Sequence, residues 1–119
     1  MRLSEELGAR CKAFASSIVG TFIELPKQRE EVRILGKQLL RSGTSVASHS
    51  REASRARSEA EFCSKVDSLP QEADESQLWL ELLMEDCSIT SPDLVGIHRE
   101  AGEWVAIFTT IVARTRHRL

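Results

Sequence analysis

Apolar positions recur along most of this chain at alternating three- and four-residue intervals, the pattern of helices that each bury one face. The clearest case runs from Ser58 to Cys87, where Phe62, Val66, Leu69, Ala73, Ser76, Leu80, Leu83 and Cys87 keep the rhythm without a slip. Ser58 followed by Glu61 is a capping box that marks its start. At 1.5 Å per residue such a helix is about 45 Å long. Pro70 falls inside it, where it removes a backbone donor and crowds the preceding turn at a cost of about 3 kcal/mol. A break there would find a second capping box in Ser68 and Gln71. Because the seam passes from Leu69 to Ala73 with no change of phase, the pattern predicts one kinked helix.

Three more helices follow from the same reasoning. The first is capped by Ser4, with Glu5 and Glu6 at its positive end and Leu7, Cys11, Phe14, Ile18, Phe22 and Leu25 inward; Pro26 ends it. A second runs from about Gln28 to Ala53 with Val32, Leu35, Leu39 and Val46 inward, and a short link from Ser54 to Arg57 follows. Beyond Leu40 its residues turn small: Ser42, Gly43, Ser45, Ala47, Ser48 and Ser50. Gly43 costs about 1 kcal/mol relative to alanine in mid-helix, which predicts a close contact or a bend there. The last helix opens on Ser91-Pro92-Asp93 and continues through Leu94, Ile97, Ala101, Trp104, Phe108 and Ile111. Arg114, Arg116, His117 and Arg118 near its end complement the helix dipole. Four such helices with short links predict an all-α, up-down-up-down antiparallel four-helix bundle, a single domain over residues 1–119.

One stretch carries more apolar surface than a bundle buries. Leu78, Trp79, Leu80, Leu82, Leu83 and Met84 span roughly two-thirds of the helix circumference at about 100° per residue. The preferred reading is a self-association surface anchored by Trp79, since tryptophan offers large area and one polar handle; an unusually thick core is the alternative.

Composition then narrows the class. The chain has 119 residues, a formal net charge of −2 and no tyrosine, which predicts a soluble protein with no strong overall attraction to nucleic acid or membrane. Three cysteines, Cys11, Cys63 and Cys87, are too few and too scattered for a zinc site and read as reduced thiols. With no secretory-type leader and no apolar run longer than Trp104 to Ala113, the expected location is the cytoplasm and no membrane contact is expected. His49, His98 and His117 stand apart, and there is no Glu-x-x-His pair, phosphate loop or nucleophile elbow. The hydroxyls of Ser42, Thr44 and Ser45 are expected to bond back to the helix or permit close packing. No catalytic residue, metal ligand, cofactor or small-molecule substrate is predicted.

Charge is unevenly distributed. Arg29 to Arg57 contains seven basic and three acidic residues, whereas Ser58 to Asp86 contains one basic and nine acidic. Arg41, Arg51 and Arg55 are therefore expected to pair with carboxylates such as Glu61, Glu72 and Glu75, within or between subunits. Arg51, Arg55 and Arg57, at a helix junction, are the candidate nucleic-acid contacts, aided by Arg114, Arg116 and Arg118. Arg41, Glu61, Glu72, Glu75 and Trp79 are the candidate charge-network and oligomer residues.

The run Leu40 to Ala47, then Arg51-Glu52-Ala53, Arg55-Ala56-Arg57-Ser58, Ala60-Glu61-Phe62 with Lys65, Glu72-Ala73 with Glu75, and Trp79-Leu80-Glu81-Leu82-Leu83 resembles a bacterial four-helix bundle family. Its members are often encoded in intervening sequences of large-subunit ribosomal RNA genes and are called intervening-sequence or S23 ribosomal proteins. The resemblance is dense from about Arg41 to Leu83. It implies a ring-like homopentamer without known catalytic residues or cofactor. It also implies similarity in fold to the accessory protein of diversity-generating retroelements, a basic pentameric bundle that binds nucleic acid, from which this chain departs in being net acidic. The combined expectation is a cytoplasmic, non-enzymatic oligomeric scaffold associated with ribosomal RNA or another nucleic acid, with a protein-protein adaptor as the second reading.

Overall fold

A computed structural model describes residues 3–118 as helices α1 (Glu5–Glu24), α2 (Glu30–Ser54), α3 (Glu59–Val66), α4 (Leu69–Glu85) and α5 (Pro92–Arg118). The segments α3 and α4 follow one another as a single leg, so the architecture is the expected up-down-up-down antiparallel four-helix bundle, 47 Å long and about 20 Å across. Packing is extensive between α1 and α2, α2 and α4, and α4 and α5, and sparser between α1 and α5. The last pair is thus the looser seam.

The local signals explain where the helices start. The Ser4 hydroxyl accepts from the Leu7 amide at 3.0 Å, and the Ser58 hydroxyl accepts from the Glu61 amide at the same distance. Ser91 Oγ accepts from the Asp93 amide at 3.3 Å ahead of α5. At the other end of α1, the Lys27 ammonium donates to the carbonyls of Phe22 and Leu25, supplying positive charge where the helix dipole is negative.

Pro70 requires a correction. The long helix is interrupted as a hydrogen-bonded element at Asp67 and Ser68, because Pro70, in the first turn of α4, has no N–H to donate. Asp67 (φ −57°, ψ −34°) and Ser68 (φ −84°, ψ −13°) nevertheless keep right-handed helical dihedrals. That is why the apolar seam crosses the interruption in phase. Ser68 forms no capping box with Gln71; its hydroxyl bonds His49 Nδ1 across on α2 at 3.2 Å.

The core is one continuous cluster running from Cys11 and Phe14 on α1 to Trp104 and Phe108 on α5. Trp104 stacks on Phe108 at 5.2 Å between ring centroids and meets Phe14 edge-on at 6.4 Å. Between α2 and α4 the core includes a polar contact, Ser42 Oγ to Ser76 Oγ at 2.8 Å; one hydroxyl donates to the other, and each also lies within hydrogen-bond distance of a carbonyl of its own helix, Leu39 or Glu72. Thr44, Ser48 and Ser50 bond back in the same way. Burial pushes the Cys11 thiol above its ordinary value, so it stays protonated; all three cysteines are free and buried.

Four of the six glycines show two opposite environments. A β-carbon on Gly43 would sit 2.7 Å from Ile18 Cγ1, and one on Gly36, two turns earlier, 2.8 Å from Leu25 Cδ1. These two positions let α1 approach α2 closely. At Gly20 and Gly96, by contrast, an added β-carbon meets nothing within 4 Å. Gly43→Ala is accordingly expected to destabilise by about 1 to 3 kcal/mol, since the stiff β-branched Ile18 cannot yield cheaply. Gly20→Ala and Gly96→Ala are each expected to stabilise by up to about 1 kcal/mol. Thermal unfolding of the three variants would check the opposite signs.

Candidate functional site

Arg51 and Arg55 stand one turn apart near the C-terminus of α2, so helical geometry puts them on one face. The antiparallel pairing of α1 with α2 brings Lys12 to the same place. Together these three cations line a concavity of about 490 Å³ whose walls also include Gly8 of α1 and the hydroxyl-bearing Ser4 and Ser54. Glu5 is the one carboxylate among the lining residues. None of Lys12, Arg51 and Arg55 has an ion-pair partner among the described residues. The N-terminus of α1, capped by Ser4 and with Glu5 and Glu6 in its first turn, lies beside them.

Arg57 lies outside this cluster, exposed on the connection between α2 and α3. Arg116 is committed elsewhere: its guanidinium grips the Asp67 carboxylate through two bonds of 2.7 and 3.2 Å, and the hydrogen bond to Asp67 is the main reason its charged form is favoured. The Arg118 side chain lies outside the described residues.

Arg41 spans from α2 to α4, 2.6 Å from Glu75 and 3.3 Å from Glu72. The Glu75 hydrogen bond, then the two negative charges, hold the guanidinium in its charged form. Arg41 is half exposed, and a pair of this kind contributes about 0 to 1 kcal/mol. The expected partners for Arg51 and Arg55 are not found among the described residues. Glu61 sits at the start of α3 with its amide bonded to Ser58, and it forms no ion pair among the described residues. Lys65 and Glu52 make a further α2–α3 bridge at 3.3 Å.

Above the Arg41 network lies an apolar strip. Glu72, Glu75, Trp79 and Leu82 follow one another along the α2-facing flank of α4 at helical spacing. The Ser42–Ser76 contact and the Arg29 bond to the Cys87 carbonyl (2.9 Å) set the register, which places Ile34 of α2 level with Leu82. Ile34 and Leu78 are 48% and 45% exposed, and Leu82 is half-buried without joining the core cluster. Trp79 packs its ring partly against the core, and its indole N–H is enclosed with no acceptor. A second apolar pair, Val19 and Ile23 (39% and 70% exposed), marks a different face, on α1.

Among the described residues no three histidine, cysteine or carboxylate side chains converge closely enough to hold a metal ion. No described helix is long and apolar enough to cross a membrane. His98 Nε2 meets Glu81 at 2.8 Å between α5 and α4, an isolated pair.

These features define a helical-bundle protein with charged and apolar outer faces and no assembled reaction centre among the described residues. The chain belongs to the 23S rRNA-intervening sequence protein family, whose model matches residues 6–109. It is similar to a crystal structure of a protein of unknown function from the S23 ribosomal protein family of Bacteroides thetaiotaomicron, with 31% sequence identity and a TM-score of 0.77. That match covers 88% of this chain and 96% of the other. No curated protein matches the chain.

Proposed function

We propose that the protein is a cytoplasmic, non-enzymatic homo-oligomeric scaffold that holds nucleic acid, in keeping with its family's ribosomal RNA context, by phosphate contacts at the Lys12–Arg51–Arg55 concavity. The observation that carries the reading is the convergence of three cations from two helices, none with an ion pair among the described residues, while Arg41 is neutralised nearby. The apolar faces support assembly. Ile34, Leu78, Trp79 and Leu82 lie on one side and Val19 with Ile23 on another, and contacts between unlike faces close into a ring when the rotation permits. A pentamer fits the family resemblance. Repetition around a ring would multiply weak phosphate contacts by multivalency, which offsets the net negative charge of each chain.

No aromatic side chain lines the concavity, so binding should ignore base identity. The test is a titration of structured and single-stranded RNA between about 50 and 200 mM salt, over which phosphate-dominated binding weakens steeply. A Lys12→Ala, Arg51→Ala, Arg55→Ala variant that still assembles should lose most of the affinity and lower the salt slope by about 0.7 to 0.9 for each contact removed. Equal binding by variant and parent, or no binding at low salt, would favour the adaptor reading.

A further inference from the structure

Five large apolar side chains stand exposed among the described residues: Val19, Ile23, Ile34, Leu78 and Val95. Val95 is alone on α5, but the other four gather into two patches whose positions on the bundle are related. Val19 and Ile23 follow Lys12 at intervals of seven and four residues, so all three lie on one strip of α1. The cationic concavity puts that strip on the side of α2, whereas Arg10, Ser17, Thr21 and Glu24 occupy the opposite flank, toward α5. The first patch therefore belongs to the α1–α2 face of the bundle. Ile34, Leu78 and half-buried Leu82 belong to the α2–α4 face, above Arg41 and its two carboxylates.

The two patches stand at one height. Gly43 packs against Ile18, and Gly36 against Phe22 and Leu25, which brings Val19 and Ile23 level with the turns of α2 between those glycines. The Ser42–Ser76 contact and the Arg29 bond to the Cys87 carbonyl bring Leu78 and Leu82 level with the same turns. Height matters because copies related by rotation alone, with their bundles along the axis, meet at equal heights. The angle between the faces matters as much. Patches on opposite sides of a bundle propagate a filament, whereas the two contact faces of a subunit in a closed ring are inclined at about 90° for four members and about 108° for five. Neighbouring faces of a four-helix bundle meet at about 90°. The patches sit on neighbouring faces, and α2 is the corner that they share.

We propose that a second copy of this chain covers each patch: Val19 and Ile23 of one subunit seat on Leu78 and Leu82 of the next, with Ile34 at the inner edge, and α2 of every subunit faces the ring axis. This inference rests on the homo-oligomeric reading above and names the contact that closes the ring. It also gives the lumen its chemistry. Lys37, Arg41, Glu52 and Arg55 continue the exposed strip of α2 below Ile34. Glu72 and Glu75 neutralise Arg41, and Lys65 neutralises Glu52, which leaves the charges of Lys37 and Arg55 in excess. The lumen is thus lined with cations, and the Lys12–Arg51–Arg55 concavities gather around one of its mouths.

The test is cross-linking of the full-length protein with a short bis-maleimide. Cys11, Cys63 and Cys87 are buried, so the unmodified protein should stay uncross-linked. Ile23→Cys with Leu82→Cys, or Val19→Cys with Leu78→Cys, places thiols at equal height on the two faces. Either double variant should give a ladder of covalent multimers that stops at the ring. Co-expressed single variants of either pair should stop at dimers, and each single variant alone should give no multimer. Multimers from Leu78→Cys or Leu82→Cys alone would overturn the proposal, because the α2–α4 face would then meet its own kind about a two-fold axis. Absence of cross-links in both double variants would overturn it too. Sedimentation of the unmodified protein separates the two failures: a monomer removes the assembly and this contact together, whereas an oligomer with the wrong cross-links removes this contact alone.

Discussion

Trp104→Ala is expected to lower the unfolding free energy by about 3 to 5 kcal/mol, the range for removing a fully buried large aromatic. The side chain has no exposed surface, stacks on Phe108, meets Phe14 edge-on and lies beneath the Arg10 guanidinium. Its loss therefore leaves a cavity touching α1 and α5 at the seam where they are held least. For a domain of this size the loss is a large share of the usual 5 to 15 kcal/mol. Trp104→Phe should cost distinctly less, because the indole N–H is buried without an acceptor and its removal relieves that unpaired donor. Urea denaturation would read both variants as shifts of the midpoint at constant slope. A loss below about 1 kcal/mol for alanine would mean that the α1–α5 seam contributes little to the fold.

The second large effect concerns assembly. If the chain assembles as proposed, Leu78→Asp combined with Leu82→Asp should convert the assembly to monomers while helical content is kept. Leu78 is already 45% exposed and Leu82 does not pack into the core cluster, so the isolated chain tolerates both carboxylates in water. Buried between subunits they would be unpaired charges, each costing several kcal/mol at every interface of the ring. Trp79→Ala tests the same face with a different expectation, since its ring packs partly against its own core. It should weaken both assembly and the fold. Sedimentation velocity with circular dichroism separates the two outcomes, and a double-aspartate variant that stays assembled would remove the α2–α4 face from the interface.

Much of this architecture is legible in the sequence because its determinants are local. Ser4, Ser58 and Ser91 cap the helices that they announce, and the three-four seams name the core directly. Gly43 declares a close approach, although only the structure says that Ile18 makes it. At Pro70 the seam predicts one kinked helix where the structure has an interruption, because two residues with helical dihedrals carry the phase across a missing hydrogen bond and periodicity alone does not distinguish the two. What the sequence hides depends on registers between helices. Lys12 joins Arg51 and Arg55 only through the α1–α2 pairing, and no spacing within α1 distinguishes it from any other exposed lysine. Arg116 reaching Asp67, 49 residues away, is hidden in the same way.

Whether the chain forms the proposed closed assembly of identical subunits with repeated cationic sites is read by sedimentation velocity of the unmodified protein at micromolar concentration. A single concentration-independent species is expected, at five times the subunit mass for the pentamer that the family resemblance implies. A monomer under those conditions would contradict it.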